Sequence, residues 1–288
     1  MEVDDSCVEI DHIILHLSKI NTIKKLALHF DDIDCEYTLP VSFFSLHQLT
    51  ELYLEDCVLS HQPSFYEFGC LTTLHLERIW TYDRKLLRFL SSCPSLKRLT
   101  LNSRNIFHTS VDLTVVDLFK CLPMIEYLSF LFDTIEDSIP NRLPKEFPTT
   151  LVHLKCLRME CLYFAYENRL RFLFLVIRSS PNLEKLELVM EDLDWSGEEE
   201  SDSFTLEDYS DIMFEHLKEL EIRNFSDADY ELDFAVLLLA RSPVLKKLTI
   251  LTFRGFTDDD LSEISEILLW SPCASPVVKI SVRRACLD

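Results

Sequence analysis

Leu49-Thr-Glu-Leu52-Tyr-Leu54 is followed 22 residues later by Leu71-Thr-Thr-Leu74-His-Leu76, then by Leu96-Lys-Arg-Leu99-Thr-Leu101 and, further on, by Leu183-Glu-Lys-Leu186-Glu-Leu188. Conservative exchanges keep the spacing at Ile23-Leu26-Leu28, Ile125-Leu128-Phe130, Leu154-Leu157-Met159, Leu217-Leu220-Ile222 and Leu245-Leu248-Ile250. Val277-Ile280-Val282 is the tenth and weakest copy. Steps of 22 to 34 residues between copies predict an α/β leucine-rich-repeat solenoid, a horseshoe with a parallel concave sheet and convex helices or loops. One unit cannot bury its own apolar face, so the core comes from stacking neighbours.

Side chains alternate along a strand. Positions one, four and six of each copy therefore point into the core, and positions three, five and seven face the concave side. A second pattern precedes several strands. Phe89-Leu-Ser-Ser-Cys-Pro94, Leu118-Phe-Lys-Cys-Leu-Pro123, Val176-Ile-Arg-Ser-Ser-Pro181 and Leu238-Leu-Ala-Arg-Ser-Pro243 each close an apolar helical run two residues before a strand. Proline cannot continue a helix and pushes its predecessor toward extended backbone, so it marks the helix-to-strand corner. Helices are predicted at 11–20, 84–91, 114–121, 168–179, 231–240 and 259–269. The connections around Leu49 and Leu71 lack a helical period and read as loop or a single turn. With three glycines in the chain, turns are expected to use Pro, Asn, Asp and Ser. Cys57, three residues beyond Leu54, reads as a small buried hydrophobe.

The predicted organisation is a solenoid over 1–212 with an acidic loop at 191–211, continued by further repeats over 213–288. The loop carries ten acidic residues and no basic one, a composition expected to stay solvated. A net charge of −21 argues against nucleic acid, whose phosphates require concentrated Lys and Arg, and against anionic membrane surfaces. The start Met1-Glu-Val-Asp-Asp5 lacks the basic region of a secretory signal. The apolar runs Phe172–Ile177 and Phe234–Ala240 are too short to span a bilayer. Ten cysteines without a C-x-x-C pair read as reduced thiols in a cytoplasmic or nuclear protein.

Chemistry-bearing patterns are sparse. Neither a phosphate-cradling glycine loop nor a nucleophile elbow occurs. His12 and His16 have zinc-compatible spacing, but no third ligand accompanies them, and an exposed helix face is the simpler reading. Cys156 and Cys161 are expected to diverge, one toward the concave face and one beyond the strand. Asp258-Asp-Asp260 suits the positive end of the helix that follows it. No catalytic residue, cofactor or metal is therefore expected, and the chain reads as a non-enzyme. The concave ladder is the candidate site. Tyr53, His75, Arg98, Tyr127 and Arg158 fall on it, and Tyr and Arg are enriched at binding hot spots. The expected partner is a protein.

Flanking words add a resemblance. Ile10-Asp-His-Ile-Ile-Leu-His-Leu-Ser18 before Ile23-Lys-Lys-Leu-Ala-Leu28, and Leu39-Pro-Val-Ser-Phe-Phe-Ser45 before the repeat at Leu49, resemble the first repeats of plant F-box/FBD/leucine-rich-repeat proteins. His216-Leu-Lys-Glu-Leu-Glu-Ile-Arg-Asn-Phe225, Leu238-Leu-Ala-Arg-Ser-Pro243 and Ala274-Ser-Pro-Val-Val278 resemble the FBD module. The resemblance implies the substrate-recognition part of an SCF-type ubiquitin ligase. An F-box, which docks on a Skp1-type adaptor, is not recognised ahead of the first repeat. Leu143-Pro-Lys-Glu-Phe147 reads as an inter-repeat loop. Adaptor docking is thus expected only with an F-box upstream. The alternatives from other classes are a hormone-like small-molecule sensor and a truncated, dominant-negative or non-functional fragment.

Overall fold

The computed structural model describes residues 5–30, 37–59, 68–81, 85–102, 115–135, 147, 150–162, 167–191, 212–226 and 229–285. The chain forms two compact units, Met1–Asn141 and Arg142–Asp288. The acidic stretch at 192–211 and most of the Leu143–Phe147 string lie outside the described residues.

In chain order the first unit contains α1 (Asp5–Ile20), β1 (Lys25–His29), β2 (Tyr37–Thr38), a 3-10 turn (Val41–Ser45), β3 (Glu51–Glu55), β4 (Cys57–Leu59), β5 (Thr73–Glu77) and β6 (Trp80–Thr81). It continues with α2 (Lys85–Ser91), β7 (Arg98–Asn102), α3 (Val115–Lys120), β8 (Tyr127–Leu131) and α4 (Phe132–Ile135). β1, β3, β5, β7 and β8 pair in parallel, in that order. The repeat sets the register: Leu26 lies opposite Leu52, Leu52 opposite Leu74, Leu74 opposite Leu99, and Leu99 opposite Leu128. From β3 to β8 the residues at positions four and six are buried. Each such side chain contributes about 1.5–3 kcal/mol relative to exposure. A one-residue slip would turn them all to solvent, so burial pins the register.

The connections around Leu49 and Leu71 hold more structure than a loop. The Val41–Ser45 turn sends Phe43 and Phe44 into the core, where they meet Phe68 and Phe89. β2, β4 and β6 form a second, three-stranded parallel sheet. The cause lies at position eight. Asp56 and Arg78 adopt φ of 54° and 46°, which turns the chain sharply and drops Cys57 and Ile79 into the core. Cys57 is fully buried, and burial pushes its thiol up to about 12. It packs as the small hydrophobe expected of it.

The second unit contains β9 (Cys156–Leu162), α5 (Glu167–Arg178), β10 (Lys185–Met190), β11 (Glu219–Phe225), α6 (Asp229–Arg241), β12 (Lys247–Thr252), α7 (Asp258–Trp270) and β13 (Lys279–Arg284). β9 to β13 pair in parallel in chain order. β10 and β11 flank the acidic stretch and pair directly, with Leu186 opposite Leu220. Position eight again turns left-handed at Cys161 and Asn224, with φ of 57° and 54°, and buries Leu162 and Phe225 behind it. Cys161 therefore lies within β9, at an irregularity, instead of beyond the strand. Asn21, Asp56 and Asn224 are residue types that suit such turns. Arg78 and Cys161 are not, and neighbouring burial overrides the preference.

All six expected helices form. α1 begins at Asp5, ahead of the expected start at Asp11. Thr257 caps α7: its hydroxyl accepts from the Asp260 N–H, and the Asp260 carboxylate accepts from the Thr257 N–H at 2.7 Å. Those hydrogen bonds hold the Asp260 carboxyl below its ordinary range, which matches the reading of Asp258–Asp260 as a helix start.

Candidate protein-binding face

Four of the five candidate residues lie on one face of the first unit. Tyr53 and His75 occupy position five of β3 and β5 and are register partners. Their rings stack with centroids 5.7 Å apart at 30°. Arg98 and Tyr127 occupy position three of β7 and β8 and are also register partners. The Arg98 guanidinium carbon lies 4.2 Å from the centroid of the Tyr127 ring. A cation over a ring in this geometry contributes about 0.5–1 kcal/mol at an exposed site. The four side chains therefore form two pre-stacked pairs on adjacent strands, across about 14 Å of sheet (three strand spacings). Tyr53 and Arg98 are exposed, while His75 and Tyr127 are half-buried.

A charged border runs along the C-terminal ends of these strands. Arg78 makes a two-pronged contact with Asp56, its Nε donating to Oδ1 at 2.8 Å and one terminal nitrogen donating to Oδ2 at 2.9 Å. It also donates to Glu77 at 2.7 Å and to Glu55. His29 reaches Glu55 from β1, and His75 Nε2 lies 3.3 Å from a Glu77 oxygen. Hydrogen bonding to Asp56, reinforced by three acidic charges, holds the Arg78 guanidinium protonated. One arginine thus gathers Glu55, Asp56 and Glu77, which would otherwise repel each other beside the aromatic patch. The ladder of positions three and five missed this network, because it is built mainly from positions seven and eight.

Arg158 belongs to a different set. It sits on β9 in the second unit, donating to Glu160 at 2.7 Å and to Glu187 at 3.2 Å. Lys185 also contacts Glu187. Glu187 is largely buried. Burial alone would raise its carboxyl, but the hydrogen bonds and charges of Lys185 and Arg158 outweigh it and hold the carboxyl below its ordinary range. Position five is not uniformly exposed: Ser129, Glu187 and Thr249 are all buried. Ser129 and Thr249 are short side chains, and Glu187 is paired with Arg158 and Lys185.

A lowered carboxyl pKa stabilises the fold above the ordinary glutamate range, and that contribution disappears as pH falls through the folded-state value. Glu187→Gln should therefore lower stability at pH 7 and flatten the loss of stability below about pH 4.5, near the reference value for glutamate. Urea unfolding at pH 7 and pH 4 measures both. Parallel curves for variant and wild type would show that the Arg158–Glu187–Lys185 network contributes nothing.

His12 and His16 lie on the exposed side of α1. Among the described residues no cluster of three or more His, Cys, Asp or Glu could hold a metal. No helix among them is long and apolar enough to cross a membrane. A pocket of about 450 Å³ in the second unit is lined by Phe147, Ile177, Leu183, Ile212, Phe214 and neighbours. It lies at a helix-to-strand corner, away from the concave ladder.

Residues 12–122 match the family model described as the leucine-rich repeats of FBD-associated F-box protein At5g56370, and residues 213–250 match the FBD model. Together these matches support a place for the chain in the plant FBD/leucine-rich-repeat family. A relative within this family, the F-box/FBD/LRR-repeat protein At1g13570 of Arabidopsis thaliana, is 25% identical over 315 residues, spanning 93% of this chain and 74% of the relative. The FBD match covers β11, α6 and the first part of β12. The leucine-rich-repeat match covers α1 to α3 and so includes Tyr53, His75 and Arg98. The FBD and leucine-rich-repeat matches suggest a protein-interaction role.

Proposed function

We propose that this chain is a non-enzymatic recognition module that binds a protein partner on the concave face of its first unit, through Tyr53, His75, Arg98 and Tyr127. The observation that carries the proposal is the pre-stacking of the Tyr53–His75 and Arg98–Tyr127 pairs on neighbouring strands. Held in place before binding, these side chains lose little freedom on association, and aromatic and arginine anchors of this kind dominate interface energetics. Residues 213–288 are read as FBD-like repeats that continue the solenoid of residues 1–212. The direct pairing of β10 with β11 supports that continuity.

The family resemblance extends the proposal to substrate selection for an SCF-type ubiquitin ligase in the cytoplasm or nucleus. An F-box joined upstream would supply the Skp1-type adaptor contact. The test compares the 288-residue chain with the same chain carrying an F-box at its N-terminus, both expressed in plant cells. The expected result is adaptor capture by the fusion alone, and increased ubiquitination of the proteins that both forms capture. Adaptor capture by the chain without the fusion, or unchanged ubiquitination of every shared partner, contradicts the ligase reading.

A further inference from the structure

Charge balance along the sheet of the second unit changes from strand to strand. The concave positions of β9, β10 and β11 carry Arg158, Lys185 and Arg223, and each is ion-paired to one or more of Glu160, Glu187, Glu219 and Glu221. The same positions of β12 and β13 carry Lys247, Thr249 and Leu251, and Lys279, Ser281 and Arg283. Lys247, Lys279 and Arg283 are exposed, and no acidic residue among the described residues pairs with them. Glu219, the register partner of Lys247, lies 3.9 Å from Lys185, and Asp258 pairs with Arg284. Three unneutralised cations thus gather on two strands of a chain whose net charge is −21.

β13 is also an open edge. It pairs with β12 on one side, and among the described residues no strand pairs with the other. Its core-side residues Ile280 and Val282 are half-exposed, whereas their register partners Leu248 and Ile250 on β12 are fully buried. Beside Ser281, the Thr249 hydroxyl is buried without a hydrogen-bond partner.

We infer that the β13 edge accepts an extended acidic peptide segment as an added strand. Main-chain pairing satisfies the open edge, and alternate side chains give selectivity. Residues of the added strand opposite Lys279, Ser281 and Arg283 share the concave side, and those opposite Ile280 and Val282 face the core. The matching pattern is acid, apolar, polar, apolar, acid. Its two carboxylates lie about 13 Å apart, four residues at roughly 3.3 Å each, as do Lys279 and Arg283. Lys247, opposite Lys279 in the register, adds to the field at one end. This site is separate from the first-unit patch, so either can fail without the other.

The test is fluorescence anisotropy of the full chain with a labelled peptide whose centre reads Glu-Val-Ser-Val-Glu between Gly-Ser flanks. Changing both glutamates to glutamine should weaken binding at least ~10-fold, and so should moving the second glutamate by one position onto the core side. K279E/R283E should weaken it at least ~10-fold, whereas the charge-matched control K19E/K24E on and beside α1 should stay within ~2-fold. The peptide comparisons use unaltered protein, so a folding defect cannot produce the result. Cations on an edge strand can also serve simply to prevent chains from pairing. Three outcomes would overturn the inference in favour of that role: no binding of the acidic peptide at about 1 mM, equal binding of the glutamine peptide, or an equal loss in the control.

Discussion

Phe89→Ala should cost the first unit about 3–5 kcal/mol, the range for removing a fully buried aromatic side chain. Phe89 lies on α2 without solvent exposure. Its ring packs edge-on against Phe68 at 5.4 Å and against Phe44 at 6.4 Å. Phe43 and Phe44 themselves pack edge-on at 5.3 Å, so the four rings join the Val41–Ser45 turn, the approach to β5 and α2 into one core. Alanine is a better helix former than phenylalanine, so α2 itself does not weaken and the loss measures the cavity. Urea unfolding followed by far-UV circular dichroism reads the change. A loss below about 1 kcal/mol would mean that the cluster collapses around the gap or is not the core of this unit.

The double variant Tyr53→Ala/Arg98→Ala should reduce partner affinity further than either single change. An anchor worth about 2 kcal/mol corresponds to roughly 30-fold in affinity. Both side chains are exposed in the free protein, so the unfolding midpoint should shift little. Lys97→Ala is the control. Lys97 is a neighbour of Arg98, precedes β7 and so lies outside the ladder of positions three and five, and pairs with Glu126 at 2.9 Å on the surface. Its loss should change affinity by less than about 3-fold, as expected of an exposed ion pair. Equal effects from the control and from Tyr53→Ala would remove the special role of the patch.

Much of this architecture was legible in the residues. L-x-x-L-x-L placed the ten parallel strands, because position four and position six leucines can be buried in one register alone. The corner prolines Pro94, Pro123, Pro181 and Pro243 placed the ends of the helices before them. The repeat also made the stacked pairs readable: Tyr53 and His75 share position five, and Arg98 and Tyr127 share position three. The left-handed turn at position eight was not legible. Arg78 and Cys161 have no preference for that backbone, and the burial of Ile79 and Leu162 behind them imposes it. The short sheet of β2, β4 and β6 escaped because strands of two or three residues have no periodicity. The grouping of Arg158 with the aromatic patch followed from its position alone. Its neutralisation by Glu160 and Glu187 depends on pairing across strands.

Site-specific photo-crosslinking can show whether the first-unit concave face meets a protein partner. A photoreactive phenylalanine analogue at Thr100, between His75 and Ser129 in the strand register, should trap the partner that wild-type chain retains. The same group at Arg88, on the exposed side of α2, should not. Efficient trapping from Arg88 with none from Thr100 would contradict the claim and move recognition to the helical side.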